Sequence, residues 1–131
     1  MSVSKRDKWL LLERDQGRCA ACGTTYGLSP QHRANRGAGG SKSAERMSNY
    51  LLLCWTHNSL LESDPVFARK GRAYGWKCRR NVLLAPADQP VFYVFERAWF
   101  HLADDGSRLR LPDWRQEVLT REAQDQLQAT A

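Results

Sequence analysis

The sequence predicts one α+β domain: a core clasped by paired metal-type ligands, a small C-terminal antiparallel sheet, and helices on the flanks. Three observations lead there. Cys19/Cys22 and Cys54/His57 form two ligand pairs, each with two residues between its members. Helix start and stop signals bracket residues 4–14 and 63–75. Over residues 82–111, aromatic and branched side chains are interrupted by turn residues, a β pattern. The 131 residues suit a single domain, 1–131, and are too few for two ordinary ones.

Taken in order, Ser4 to Arg14 carries Trp9, Leu10, Leu11 and Leu12 among charges, and Gly17 can stop it. This reads as a short helix packing on the core. Cys19-Ala20-Ala21-Cys22 follows, a spacing that suits either a metal knuckle or a redox pair. A redox motif should sit between a buried strand and a helix. Here the polar residues Glu13 to Gly17 precede it and Gly23-Thr24-Thr25 follows as a tight turn, which favours the knuckle. With Cys54-Trp55-Thr56-His57 the full pattern is C-x2-C-x31-C-x2-H. Four soft or borderline donors in two close pairs fit a structural zinc that ties two distant segments together. Cys78 has no close ligand partner and reads as a packed thiol, or as a reserve ligand if His57 has another task.

Between the pairs lie Gln31-His32-Arg33 and a glycine-rich basic loop, Arg36 to Lys42. Asn49 then stands just before the apolar run Tyr50 to Leu53. A helix is expected to start near Trp55, placing Asn58 and Glu62 one turn apart on one face. Ser63-Asp64-Pro65 resembles a cap with proline in the first turn, opening a helix through Tyr74 that Gly75 ends. Pro90 to Phe95, Arg97 to Leu102 and Arg108 to Leu111 read as strands, with a turn at Asp104-Asp105-Gly106-Ser107. His101 on this sheet reads as structural. The tail 112–131, with Trp114, Val118 and Leu119 before a polar end, reads as a helix that frays.

The chain carries 20 Lys+Arg against 14 Asp+Glu, a net charge of +6, and 42% hydrophobic residues, which excludes a disordered tail or a fibrous protein. The charge is uneven: residues 1–82 hold 15 Lys/Arg and 6 Asp/Glu, residues 83–131 hold 5 and 8. The first two-thirds should therefore face a polyanion. The longest apolar stretches fall far short of the roughly 20 residues that cross a bilayer, and Met1 to Leu12 lacks a signal-peptide pattern. A soluble, cytoplasmic protein with no membrane partner is expected.

Cys19-x-x-Cys22, His32 followed by the Arg36 to Ser41 glycine loop, Asn49, and Leu53-Cys54-x-x-His57-Asn58 together resemble the HNH endonuclease family. The likeness is to its ββα-metal (His-Me finger) fold, and especially to small zinc-stapled HNH proteins of phages. It covers residues 14–80. The resemblance implies hydrolysis of DNA phosphodiester bonds, leaving a 5′-phosphate and a 3′-hydroxyl. His32 is then the general base that activates water, and Asn49 is the residue whose side chain holds the loop.

In this reading His57 joins Cys19, Cys22 and Cys54 on structural zinc. Asn58 takes the catalytic-metal slot, with Gln31 and Glu62 as further candidates for Mg²⁺ or Mn²⁺. An alternative alignment puts His57 on the catalytic metal and leaves zinc with three cysteines, Cys78 included. Where the family commonly carries aspartate or histidine this chain has Gln31, so with Asn58 the site offers no charged first ligand. Glu62 can compensate, or can be an exposed charge paired with a nearby Lys or Arg.

Arg33, Arg36, Lys42 and Arg46 are candidate phosphate contacts beside the site, giving affinity without sequence reading. DNA is the implied partner and a bacterial host the implied setting. A phage terminase enters by family resemblance alone. Two other classes stay open: a catalytically silent zinc domain that binds DNA or a phage assembly protein, and an interaction module that works through its acidic β half.

Overall fold

A computed structural model describes residues 3–35, 45–78 and 84–129. Among them are four α-helices and two antiparallel sheets, an α+β arrangement. The first helix, α1 (Lys5–Arg14), is capped by Ser4, whose Oγ accepts the Asp7 N–H at 3.1 Å. Asp7 in the first turn and Arg14 in the last suit the helix dipole. Only Leu11 and Arg14 of this helix are buried. Trp9 and Leu12 are exposed.

Strand β1 (Leu28–His32) pairs antiparallel with β2 (Tyr50–Cys54), in a register running from Leu28 opposite Cys54 to His32 opposite Tyr50. All five residues of β2 are buried because both faces of the hairpin are covered. Leu51 and Leu53 pack with Trp76, Val91, Tyr93 and Phe100, whereas Tyr50 and Leu52 pack with Val3, Leu11 and Met47. Strand alternation divides the two sets. Cys54 leads directly into α2 (Trp55–Ser63), whose Leu61 joins the Leu51/Leu53 side.

α3 (Pro65–Ala73) begins as its sequence requires: Asp64 Oδ1 accepts the Val66 N–H at 3.0 Å and proline occupies the first turn. Gly75 ends it at φ +80°. A Cβ there would lie 2.0 Å from the Pro90 carbonyl oxygen, so both the conformation and the close approach demand glycine.

The second sheet has the order β3 (Val91–Tyr93), β4 (Ala98–Leu102), β5 (Arg108–Arg110). The β4–β5 turn falls on Asp104 to Ser107, where Asp105 Oδ1 accepts the Ser107 N–H at 2.9 Å. The tail departs from expectation. α4 (Asp113–Ala129) runs for 17 residues through the polar stretch. Gln116 fixes its start by accepting the Trp99 N–H at 2.7 Å and donating to the Trp99 carbonyl at 2.9 Å. Leu119 and Ala123 then pack on the Trp99 cluster, and the Gln- and Ala-rich composition favours continued helix. No helix among the described residues is long and apolar enough to cross a membrane.

The two sheets are joined through the segment that carries the first cysteine pair. Ala20 donates its N–H to the Leu52 carbonyl at 3.0 Å and accepts from Val94 at 2.9 Å. Beneath it lies a buried polar knot around Asp15. Its carboxylate accepts from Arg14 Nε at 2.8 Å, from the Tyr93 hydroxyl at 2.6 Å and from the Leu52 N–H at 2.9 Å. Arg14 also donates to the Met47 and Tyr50 carbonyls. Every partner is satisfied, as such burial requires.

Candidate metal centre and the His32 edge

The two ligand pairs converge. The donor atoms of Cys19, Cys22, Cys54 and His57 all lie within 4.8 Å of one another, so the four could hold a metal ion such as zinc. Cys22 Sγ is 3.9 Å from Cys54 Sγ, and Cys54 Sγ is 3.1 Å from His57 Nδ1. Tetrahedral zinc, with Zn–S near 2.3 Å and Zn–N near 2.0 Å, sets donors about 3.8 Å (S to S) and about 3.5 Å (S to N) apart.

Local structure explains each pair. Gly23, at φ +80°, closes the first turn by donating to the Cys19 carbonyl at 2.7 Å, and Cys19 donates back to Thr24 at 2.9 Å. Cys54 is the N-cap of α2 and its sulfur accepts the His57 N–H at 3.5 Å. A cap and the third residue of a helix share one corner, so C-x-x-H delivers both donors to one point.

Burial pushes the Cys19 thiol up to about 12, against the backbone N–H groups of Cys54 and Ala21, which act in the opposite direction. Burial and then the Lys70 charge hold His57 below its ordinary value, a direction that favours the neutral ring a metal ligand requires. Cys78 stands apart. It donates its N–H to the Arg33 carbonyl at 2.8 Å and is not in the donor cluster, so the three-cysteine alternative that recruits it does not describe this site.

His32 ends β1 at the far end of the hairpin from the cysteines. Asn49, completely buried, reaches across to the strand leaving His32: its Oδ1 accepts the Ala34 N–H at 2.8 Å and its Nδ2 donates to the Ala34 carbonyl at 3.1 Å. Arg33 adds a backbone bond to the Asn49 carbonyl at 2.7 Å. These bonds close the neck of the excursion between the strands.

The remaining candidates separate. Directly paired residues share a face, so His32 lies with Tyr50 and Leu52 on the α1 side. Gln31, opposite Leu51, projects to the side covered by α2, which carries Asn58 and Glu62. Gln31 Nε2 donates to Ser29 Oγ at 2.8 Å, Asn58 is half-buried, and Glu62 is exposed and pairs with Lys77 at 3.3 Å.

Arg33 corrects an expectation. It is 1% exposed and donates to the carbonyls of Gly75, Ser48, Pro86 and Gln89 at 2.7–3.0 Å, so it pins backbone and does not reach a phosphate. Burial holds its guanidinium below the ordinary value. Arg46 is exposed and bridges to Asp104 at 3.0 Å. Arg36 and Lys42 lie outside the described residues. His101 lies on β4, away from both groups in the chain, and its buried Nε2 has no hydrogen-bond partner among the described residues.

Comparisons with protein-family models, with curated proteins and with solved structures find no match to this chain.

Proposed function

We propose that this chain is an endonuclease of the HNH kind, hydrolysing DNA phosphodiester bonds with His32 as general base and a structural zinc on Cys19, Cys22, Cys54 and His57. One observation carries the reading: Asn49 clamps Ala34 at both its backbone N–H and its carbonyl, two residues beyond His32, on a hairpin that runs straight into a helix. That is the part the resemblance assigns to the middle asparagine. The zinc holds the corner where β2 meets α2, so the hairpin presenting His32 keeps its shape in a small domain.

His32 would take the proton of a water aimed at phosphorus while the 3′ oxygen departs. The donors at Gln31, Asn58 and Glu62 do not fit a resident Mg²⁺ or Mn²⁺: two are neutral amides, and the one carboxylate is paired with Lys77. An ion needed for cleavage would arrive with the DNA phosphates. The same donor set favours a second reading, a catalytically silent zinc domain that binds DNA or a phage assembly protein.

Plasmid incubated with purified protein and Mg²⁺ or Mn²⁺ decides between them. Nicking that is lost in His32→Ala supports the nuclease. Equal nicking by both removes His32 from the mechanism, and salt-dependent DNA retention without nicking supports the silent domain.

A further inference from the structure

We propose that Glu45 is the positioning residue for His32, fixing which ring nitrogen is free to act as a base; this rests on the nuclease reading above. The two residues lie 13 positions apart, on opposite sides of the excursion that leaves β1 and returns to β2. His32 Nε2 is 3.0 Å from Glu45 Oε1. The other carboxylate oxygen, Oε2, accepts the Tyr50 hydroxyl at 2.8 Å. Tyr50 is in turn the register partner of His32, and the two rings meet edge to face, 5.4 Å between centroids and 81° between planes. Both side chains of the pair are mostly withdrawn from water, His32 at 16% and Glu45 at 24% exposed.

The chemistry follows from what each group can do. A carboxylate facing a ring nitrogen accepts its N–H, so the proton of the neutral imidazole is fixed on Nε2 and the lone pair falls on Nδ1. No hydrogen bond to Nδ1 occurs among the described residues, which leaves that atom to take a proton from water. Breaking the water O–H bond and forming Nδ1–H makes an imidazolium, whose charge the Glu45 carboxylate then offsets across the Nε2 bond. A carboxylate that holds a histidine in one tautomer and stabilises its charged form is a recurrent way of making imidazole an effective base. Tyr50, buried in the core, gives that carboxylate a fixed second anchor, so its orientation is set by the fold.

The test reads the tautomer first and activity second, on the full chain in its metal-loaded form. Imidazole ¹⁵N shifts of His32 should show Nε2 protonated and Nδ1 bare in the wild type. Glu45→Ala should give a mixture of tautomers, and Tyr50→Phe a smaller change in the same direction. Nicking by Glu45→Ala should fall by about 10–100-fold in kcat with KM little changed, and Glu45→Asp should recover part of it.

An active wild type whose ring carries its proton on Nδ1 would overturn the proposal without any variant having to fold. A Glu45→Ala protein with unchanged tautomer and kcat would overturn it as well. A wild type with the expected tautomer and no cleavage under any metal would overturn the nuclease reading and Glu45's part in it, leaving an ion pair alone.

Discussion

Asn49 holds Ala34 at two points, accepting its N–H and donating to its carbonyl, from a side chain that water does not reach. Truncation to alanine would leave two buried backbone groups without partners, each worth about 1–3 kcal/mol. Asn49→Ala should therefore lose about 3 kcal/mol in chemical denaturation. Asn49→Asp should also be destabilised, since the carboxylate cannot donate to the Ala34 carbonyl. A loss below 1 kcal/mol for the alanine variant would show that the neck does not depend on this clamp.

Metal content gives the next prediction. Protein purified without added zinc should carry about one zinc per chain, and chelation should unfold it. Structural zinc contributes on the order of 10–16 kcal/mol in small zinc-binding peptides, comparable to or above the whole stability of an ordinary domain. Cys22→Ser, at an exposed ligand position, should weaken binding without opening a cavity. Metal-free protein that stays folded would remove the structural role of the cluster.

Arg33→Lys separates a pin from a phosphate contact. Lysine cannot span four carbonyls, so a loss of about 3 kcal/mol is expected from the broken fan of bonds around a buried charge. DNA retention by the folded variant should keep the wild-type salt dependence. A drop of about one in the slope would return Arg33 to the DNA surface.

Tyr93→Phe removes the hydroxyl that Asp15 accepts at 2.6 Å, between two parts of the chain 78 residues apart. A loss of about 1–3 kcal/mol is expected, because the buried carboxylate then lacks one of its donors. Calorimetry would read it as a fall in Tm. An unchanged Tm would mean that Arg14 and the Leu52 N–H suffice to hold Asp15.

His101 predicts a pH dependence. Burial, and then the charges of Arg115 and Arg33 against the opposing Asp88, hold its pKa below the ordinary 6.5. The unfolded chain thus binds the proton more readily, so the contribution of His101 is complete above 6.5 and is lost as pH falls below it. His101→Leu should stabilise by about 1 kcal/mol by removing an unsatisfied buried nitrogen, and should flatten the loss of stability below pH 6.5 relative to wild type. A slope equal to wild type would count against it.

What the sequence by itself determined is local. Ser4, Asp64-Pro65 and Gly75 mark helix ends because caps and φ preferences act within a few residues. The C-x-x-C and C-x-x-H spacings bring their donors together because each pair sits on one turn. The β pattern and the Asp104 to Ser107 turn are legible for the same reason.

Tertiary structure decided what depends on partners far along the chain. Arg33 and Arg46 look alike as loop cations, yet one is enclosed by carbonyls from residues 48, 75, 86 and 89 and the other remains in water. Asp15, one of the polar residues between Glu13 and Gly17, becomes the centre of a buried knot only when Tyr93 and β2 close over it. Glu45 carries no local sign of its place beside His32, and of the two readings open for Glu62 only the fold selects the exposed pair with Lys77. Burial and charge pairing depend on which distant segments the chain brings together, and no local spacing encodes that.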